Sequence, residues 1–179
     1  MAGPAKSIVE RELNAVRRHL LSLVSDLSDA ELIWLPPRPD GIAISYHFGH
    51  IGLVEDVHVA EATGTSPVAS DRFRDAFGVH NVNNRDARFP AGGEIRSYLG
   101  DVRSRTSELL EKRYRDLRTE VSTSADLFRG IINHEYSHTK YIRRIRAEMG
   151  KAPVEVTLSA LIRVDEHAIA APQYSIPHW

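Results

Sequence analysis

Along three separate stretches of this sequence, apolar residues recur at steps of three and four, a period that calls for helices packed through one face. The first stretch covers residues 7–27, with Leu13, Val16, Leu20, Val24 and Leu27 on one stripe. The charges Glu10, Arg11, Arg17 and Arg18 fall mostly off it. Ser28-Asp29-Ala30-Glu31 then reads as a capping box, the Ser28 hydroxyl accepting from the Glu31 amide while Glu31 reaches back. Pro36, Pro37 and Pro39 end that turn, and Asp40-Gly41 completes a loop. A second helix is expected over residues 44–63, with Ser45 near its start and Gly64 just past its end. A third is expected over 93–118, on a stripe of Ile95, Leu99, Val102, Leu109 and Leu110 that weakens between Ser104 and Ser107. A fourth starts behind Thr123 or Ser124 and runs to Met149, with Gly150 beyond it. Its buried stripe takes in Leu127, Ile131, His134, His138, Tyr141, Ile142 and Ile145. Lys140, Arg143, Arg144 and Arg146 crowd its last turns, where cations complement the helix dipole. Four long helices joined by loops predict an all-α fold, an antiparallel four-helix bundle.

Two segments stand apart. Residues 65–91 are rich in Gly, Ser, Pro, Asn and Asp, yet carry Phe73, Phe77 and Phe89. A connection this long is uncommon in a compact domain and tends to be a functional cover. Its phenylalanines predict that it packs down, with room for a short helix inside it. Residues 151–179 follow neither period cleanly; 154–164 fit strand or helix, and the end is extended and aromatic. The expected layout is one bundle over residues 1–150, with a C-terminal extension over 151–179 packing on the same domain. A chain of 179 residues suits a single sizeable core of this kind.

Charge and cysteine content exclude several classes. The formal net charge is -1, which gives no global electrostatic case for nucleic acid or an anionic membrane. No apolar run approaches the length of a membrane span and no signal peptide is visible, so the expected location is cytoplasmic. Cysteine is absent, which removes disulfides, thiolate metal sites and a cysteine nucleophile. Any thiol chemistry must draw its thiol from a second substrate.

The chemistry-bearing residues are histidines. His134-Glu135-Tyr136-Ser137-His138 places two imidazoles one helical turn apart, inside an otherwise apolar stripe. Two such rings are costly to bury without a shared partner, and a divalent ion is the partner that suits them. A third ligand is expected from another helix. His50 is the best placed, on the face carried on by Leu53, Val54 and Val57, with His47 a turn earlier. His-Glu-x-x-His is also the zincin protease signature, with Glu135 as general base, but the sequence lacks the substrate-aligning strand that reading needs. Tyr136 lies two residues from both histidines and points away from them. Glu55, Asp56 and Glu61 read as solvated charges, with Asp56 a candidate to orient a ligand. His19, His58, His80, His167 and His178 read as structural or exposed.

The segments Ile44-Ser-Tyr-His-Phe-Gly-His-Ile-Gly-Leu-Val-Glu-Asp56 and Asn133-His-Glu-Tyr-Ser-His-Thr-Lys-Tyr-Ile-Arg143 resemble the DinB/YfiT-type family of metal-binding four-helix bundles, from the first helix through Gly150. His50, Ile51 and Glu55 match the family's pattern on the second helix, and His134 and His138 its His-x-x-x-His on the fourth. Trp34-Leu-Pro-Pro before the second helix matches as well. The pair His47/His50 is similar to a Trp-His-x-x-His segment in the related domain of ergothioneine-type sulfoxide synthases. Tyr46 replaces the Trp here, and the catalytic domain of those enzymes is missing, so their oxidative activity does not carry over.

The resemblance implies a divalent metal held by His50, His134 and His138. Zinc, nickel and iron suit three neutral imidazoles alike. Three ligands leave coordination positions open, the pattern of a catalytic site. The expected function is therefore a metal-dependent enzyme, a thiol-dependent S-transferase or a hydrolase, acting on a small-molecule electrophile. A low-molecular-weight thiol is the expected co-substrate of the transferase. The alternative is a non-catalytic metal-binding or stress-response module on the same fold. A homodimer is compatible with the family but is not visible in the residues.

Overall fold

The computed structural model describes residues 4–82, 86–115 and 121–155, and among them every regular element is a helix. Four long helices, α1 (Pro4–Leu23), α3 (Ile44–Thr63), α5 (Gly92–Arg115) and α6 (Val121–Glu148), form the bundle. Two short ones, α2 (Asp29–Leu32) and α4 (Asp71–Phe77), lie in the connections. No helix among the described residues is long and apolar enough to cross a membrane. The expected strand-or-helix segment 154–164 and the aromatic end lie almost wholly outside the described residues.

Local signals set the helix ends. Ser28 and Glu31 form the expected capping box, with Ser28 Oγ accepting from the Glu31 amide and Glu31 accepting from the Ser28 amide at 2.8 Å. α3 ends on Gly64, whose φ of 67° is a left-handed conformation that glycine adopts without a Cβ clash. α3 is preceded by Ala43 in extended conformation, with no side-chain cap, so Ser45 lies inside the helix. The short helix for which residues 65–91 left room is α4, capped by Ser70 accepting from Phe73, followed by a 3₁₀ turn over Val79–Asn81.

The helices form a ring in which α1 neighbours α6, α6 neighbours α3, α3 neighbours α5, and α5 closes on α1. Contacts along their length set their directions. Arg113 reaches Ala62 at the end of α3, while Thr106 meets Glu55 nearer its middle, so α3 and α5 run parallel. Lys6 at the start of α1 meets Glu111 near the end of α5, so that pair is antiparallel. The bundle is thus up-down-down-up, antiparallel across α3/α6 and α1/α5. Residues 64–91 are long because they carry the chain back along the bundle before α5 begins.

Two apolar clusters fill the interior. One joins Leu20, Leu23, Phe48, Ile51, Leu99 and Ile142, and the phenylalanines of the long connection pack onto it. The other joins Leu13, Val16, Val59, Leu110, Phe128 and Ile131. Between them lies a feature that helical periodicity misplaces. Arg17, expected off the apolar stripe, and Glu55, expected in solvent, are both buried. With Arg103 and Glu135 they form a square of four charges, one from each long helix. Arg17 Nε donates to Glu135 at 2.7 Å and its Nη2 to Glu55 at 2.6 Å; Arg103 donates to Glu55 at 2.9 Å and to Glu135 at 2.6 Å. The Thr106 hydroxyl and the Leu99 carbonyl complete the network. Burial by itself disfavours both charged forms. The two carboxylates nevertheless hold Arg17 above its ordinary value, and the two guanidiniums hold Glu55 below its own.

Candidate metal centre

The histidines converge where the first turns of α3 face the middle of α6. His134 and His138 fall four residues apart on α6, their ring centroids 4.5 Å from each other. Across the groove His50 presents its ring 5.4 Å from His134 and 5.1 Å from His138. One nitrogen from each of these three rings lies within 4.8 Å of the other two, which makes them a group positioned to hold a metal ion. His50 is buried, and His134 and His138 keep part of their surface open.

Hydrogen bonding and burial prepare the donor set. His50 Nδ1 lies 2.8 Å from the Phe77 carbonyl, which only accepts. That proton therefore sits on Nδ1, and the Nε2 lone pair is free. Burial pushes His134 down to about 3, with His50 and His58 adding to the effect. Burial, then His134, His47 and His50, holds His138 well below the ordinary range, and burial also lowers His50. Three neutral imidazoles converging on one point is what a divalent ion requires of its ligands.

The role of the long connection shows here. Asp56, expected to be solvated, is fully buried and accepts from the backbone amides of Val68 and Ala69 at 3.1 and 2.8 Å. Tyr98 and Arg105 also donate to it. Asp56 thus ties the segment down just before Ser70 caps α4, and α4 delivers the Phe77 carbonyl to His50. Phe77 approaches so closely because Gly49 lies beneath it; a methyl group there would overlap its ring. Phe73 and Phe89 flank Phe77 at 5.5 and 5.9 Å.

Two aromatic rings frame the site. Tyr46 stacks on His50 at 5.2 Å, and burial pushes its phenol upward, away from any role as a neutral-pH base. Tyr141, expected on the buried stripe, is 54% exposed and stacks on His47 at 5.3 Å, so it stands at the mouth of the site. A cavity of about 120 Å³ with Ile33, Leu35, Val82 and Phe89 in its walls shares Tyr46 with the site. Glu135, the general base of the protease reading, faces the buried arginines on the opposite side of α6, which closes that reading. Tyr136 packs with the second apolar cluster, away from the histidines.

The remaining expectations sort by burial. Of the cations that crowd the last turns of α6, Arg146 is buried and pairs with Asp26 while also donating to the Leu23 carbonyl; Lys140, Arg143 and Arg144 are exposed. His19 is buried with its Nδ1 unpartnered, His58 lies near Glu61, and His80 is exposed in the 3₁₀ turn. His167, His178 and Trp179 lie outside the described residues.

A family model described as the DinB superfamily matches residues 12–142, a span that contains the three histidines and the four charges of the buried square. No curated protein matches the chain.

Proposed function

The chain belongs to the DinB superfamily, and we propose that it is a divalent-metal-dependent enzyme acting on a small electrophile, with His50, His134 and His138 as the ligands. The observation that carries this reading is the convergence of three neutral imidazoles, one buried and two half-buried, on one point at a partly open face. His50, His134 and His138 would hold the ion, which would supply the Lewis acidity to make a water or a thiol nucleophilic at neutral pH. The protein's own groups do the rest. Phe77 and Tyr46 fix the His50 ring, and the neighbouring cavity, its lining part apolar and part polar, has room for part of a small substrate. The absence of cysteine means that a transferred sulfur comes from a low-molecular-weight thiol.

Elemental analysis of protein purified without a histidine tag tests the ligand set. Wild type is expected to carry a stoichiometric divalent ion, and His50→Ala, His134→Ala and His138→Ala to lose it while remaining helical. Thiol consumption or hydrolysis with model electrophiles should disappear in the same variants. Metal bound equally by wild type and His134→Ala would sink the ligand assignment. Full metal loading with no turnover of any electrophile would point to the non-catalytic module.

A further inference from the structure

A fourth histidine touches this group without belonging to it. His47, in the first turn of α3, is buried, and its Nδ1 lies 2.9 Å from His138 Nδ1. Its ring is clamped between Tyr141, stacked parallel at 5.3 Å, and Tyr46, edge-on at 5.9 Å. The nitrogens that lie within 4.8 Å of one another come from His50, His134 and His138 and leave His47 out.

Two neutral imidazoles at 2.9 Å need one N–H and one lone pair between them. There are two ways to supply them. If His47 Nδ1 carried the proton, His138 would commit its Nδ1 lone pair to that bond and carry its own proton on Nε2, leaving no donor for an ion. If His138 Nδ1 carries the proton, His47 Nδ1 accepts it and the Nε2 lone pair of His138 is free. His50 already shows the second pattern, with the Phe77 carbonyl as acceptor. On His138 the acceptor is another side chain.

We propose that His47 is a positioning residue whose Nδ1 accepts the Nδ1–H of His138, fixing the tautomer and ring orientation in which His138 Nε2 faces the ion. This rests on the metal reading above, but part of its test does not. Groups that orient a metal-binding imidazole in this way typically change affinity by about 10–100-fold when removed. The tyrosine clamp on His47 has the same purpose, since an acceptor that turned would no longer select the tautomer.

Two measurements decide it. Nitrogen-15 spectra of metal-free wild-type protein should show His138 protonated on Nδ1, and His47→Phe should lose that preference. Zinc competition against a chromophoric chelator should show His47→Phe weakened by about 10–100-fold. His47→Asn, whose amide oxygen can accept near the position of Nδ1, should stay within a few-fold of wild type. The proposal is overturned if metal-free wild type holds the His138 proton on Nε2, or if His47→Phe binds zinc like wild type. It is equally overturned if His47→Asn loses as much affinity as His134→Ala, because His47 would then be a ligand. A wild-type protein that binds no zinc refutes the metal reading, while the nitrogen spectra still decide whether His47 sets the tautomer.

Discussion

Replacing Glu135 by glutamine removes one charge from the buried square while keeping its shape. Glu135 accepts from Arg17 Nε at 2.7 Å, from Arg17 Nη2 at 3.3 Å and from Arg103 Nη2 at 2.6 Å, with its side chain 1% exposed. The wild-type cluster is neutral, two arginines against two glutamates; the variant buries a net positive charge. Breaking a buried pair by neutralising one partner costs about 3–5 kcal/mol, because the stranded charge cannot recover its hydration. In a chain of this size that corresponds to a fall of about 6–20 °C in Tm. Urea unfolding monitored by circular dichroism, with metal removed by chelator, measures the loss without interference from the adjacent His134. Adding Arg103→Met to Glu135→Gln restores neutrality, leaving Arg17 paired with Glu55. The double variant should therefore lose less than the sum of the two single losses, by about 1 kcal/mol or more. A Glu135→Gln loss below about 1 kcal/mol, or strict additivity in the cycle, would mean that the four charges do not hold one another in the core.

Three further outcomes follow from the site. Gly49→Ala should drive Phe77 from its seat, lowering stability by about 1–3 kcal/mol and weakening zinc binding through the lost carbonyl on His50; zinc titration and urea midpoints check both effects. Asp56→Asn should release the segment after Gly64, read as faster limited proteolysis there, since two backbone amides and Arg105 lose their carboxylate. His47 and His134 are held, chiefly by burial, at about 3 when folded, against about 6.5 when unfolded. The unfolded chain thus binds protons that the native protein refuses, and metal-free stability should fall with pH below about 6.5, by up to about 1.4 kcal/mol per unit for each histidine. Equal urea midpoints at about pH 7.5 and about pH 5 would contradict this.

The histidine cluster is legible in the sequence because its signal is local. Spacing on α6 places His134 beside His138, and the apolar face of α3 selects His50. The buried charges are not legible, for a reason visible in α3 itself. Nearly every residue from Ile44 to Ala60 is buried, so this helix has almost no solvent face on which Glu55 or Asp56 could lie. A helix apolar on nearly all sides is a signal that its charges are internal, but their partners come from α1 and α5, far away in sequence. Arg17 follows Val16 directly and flanks the stripe, close enough for a long side chain to turn inward. Tyr141 is misplaced for the converse reason: it continues the spacing of His134 and His138, and that line leaves the core at the mouth of the site. The parallel course of α3 and α5 is also hidden, since helical period carries no direction.

Phe77 gives its ring to the seat over Gly49 and its carbonyl to His50. In thermodynamic terms, the seating of Phe77 and any binding of an ion by the histidines are therefore linked equilibria. Whatever favours the seated Phe77 would tighten such an ion by some factor, and the ion would favour that seating by the same factor. A molecule entering the cavity beside Tyr46, between the 71–89 segment and the turn before α3, would thus act on metal affinity without touching a ligand.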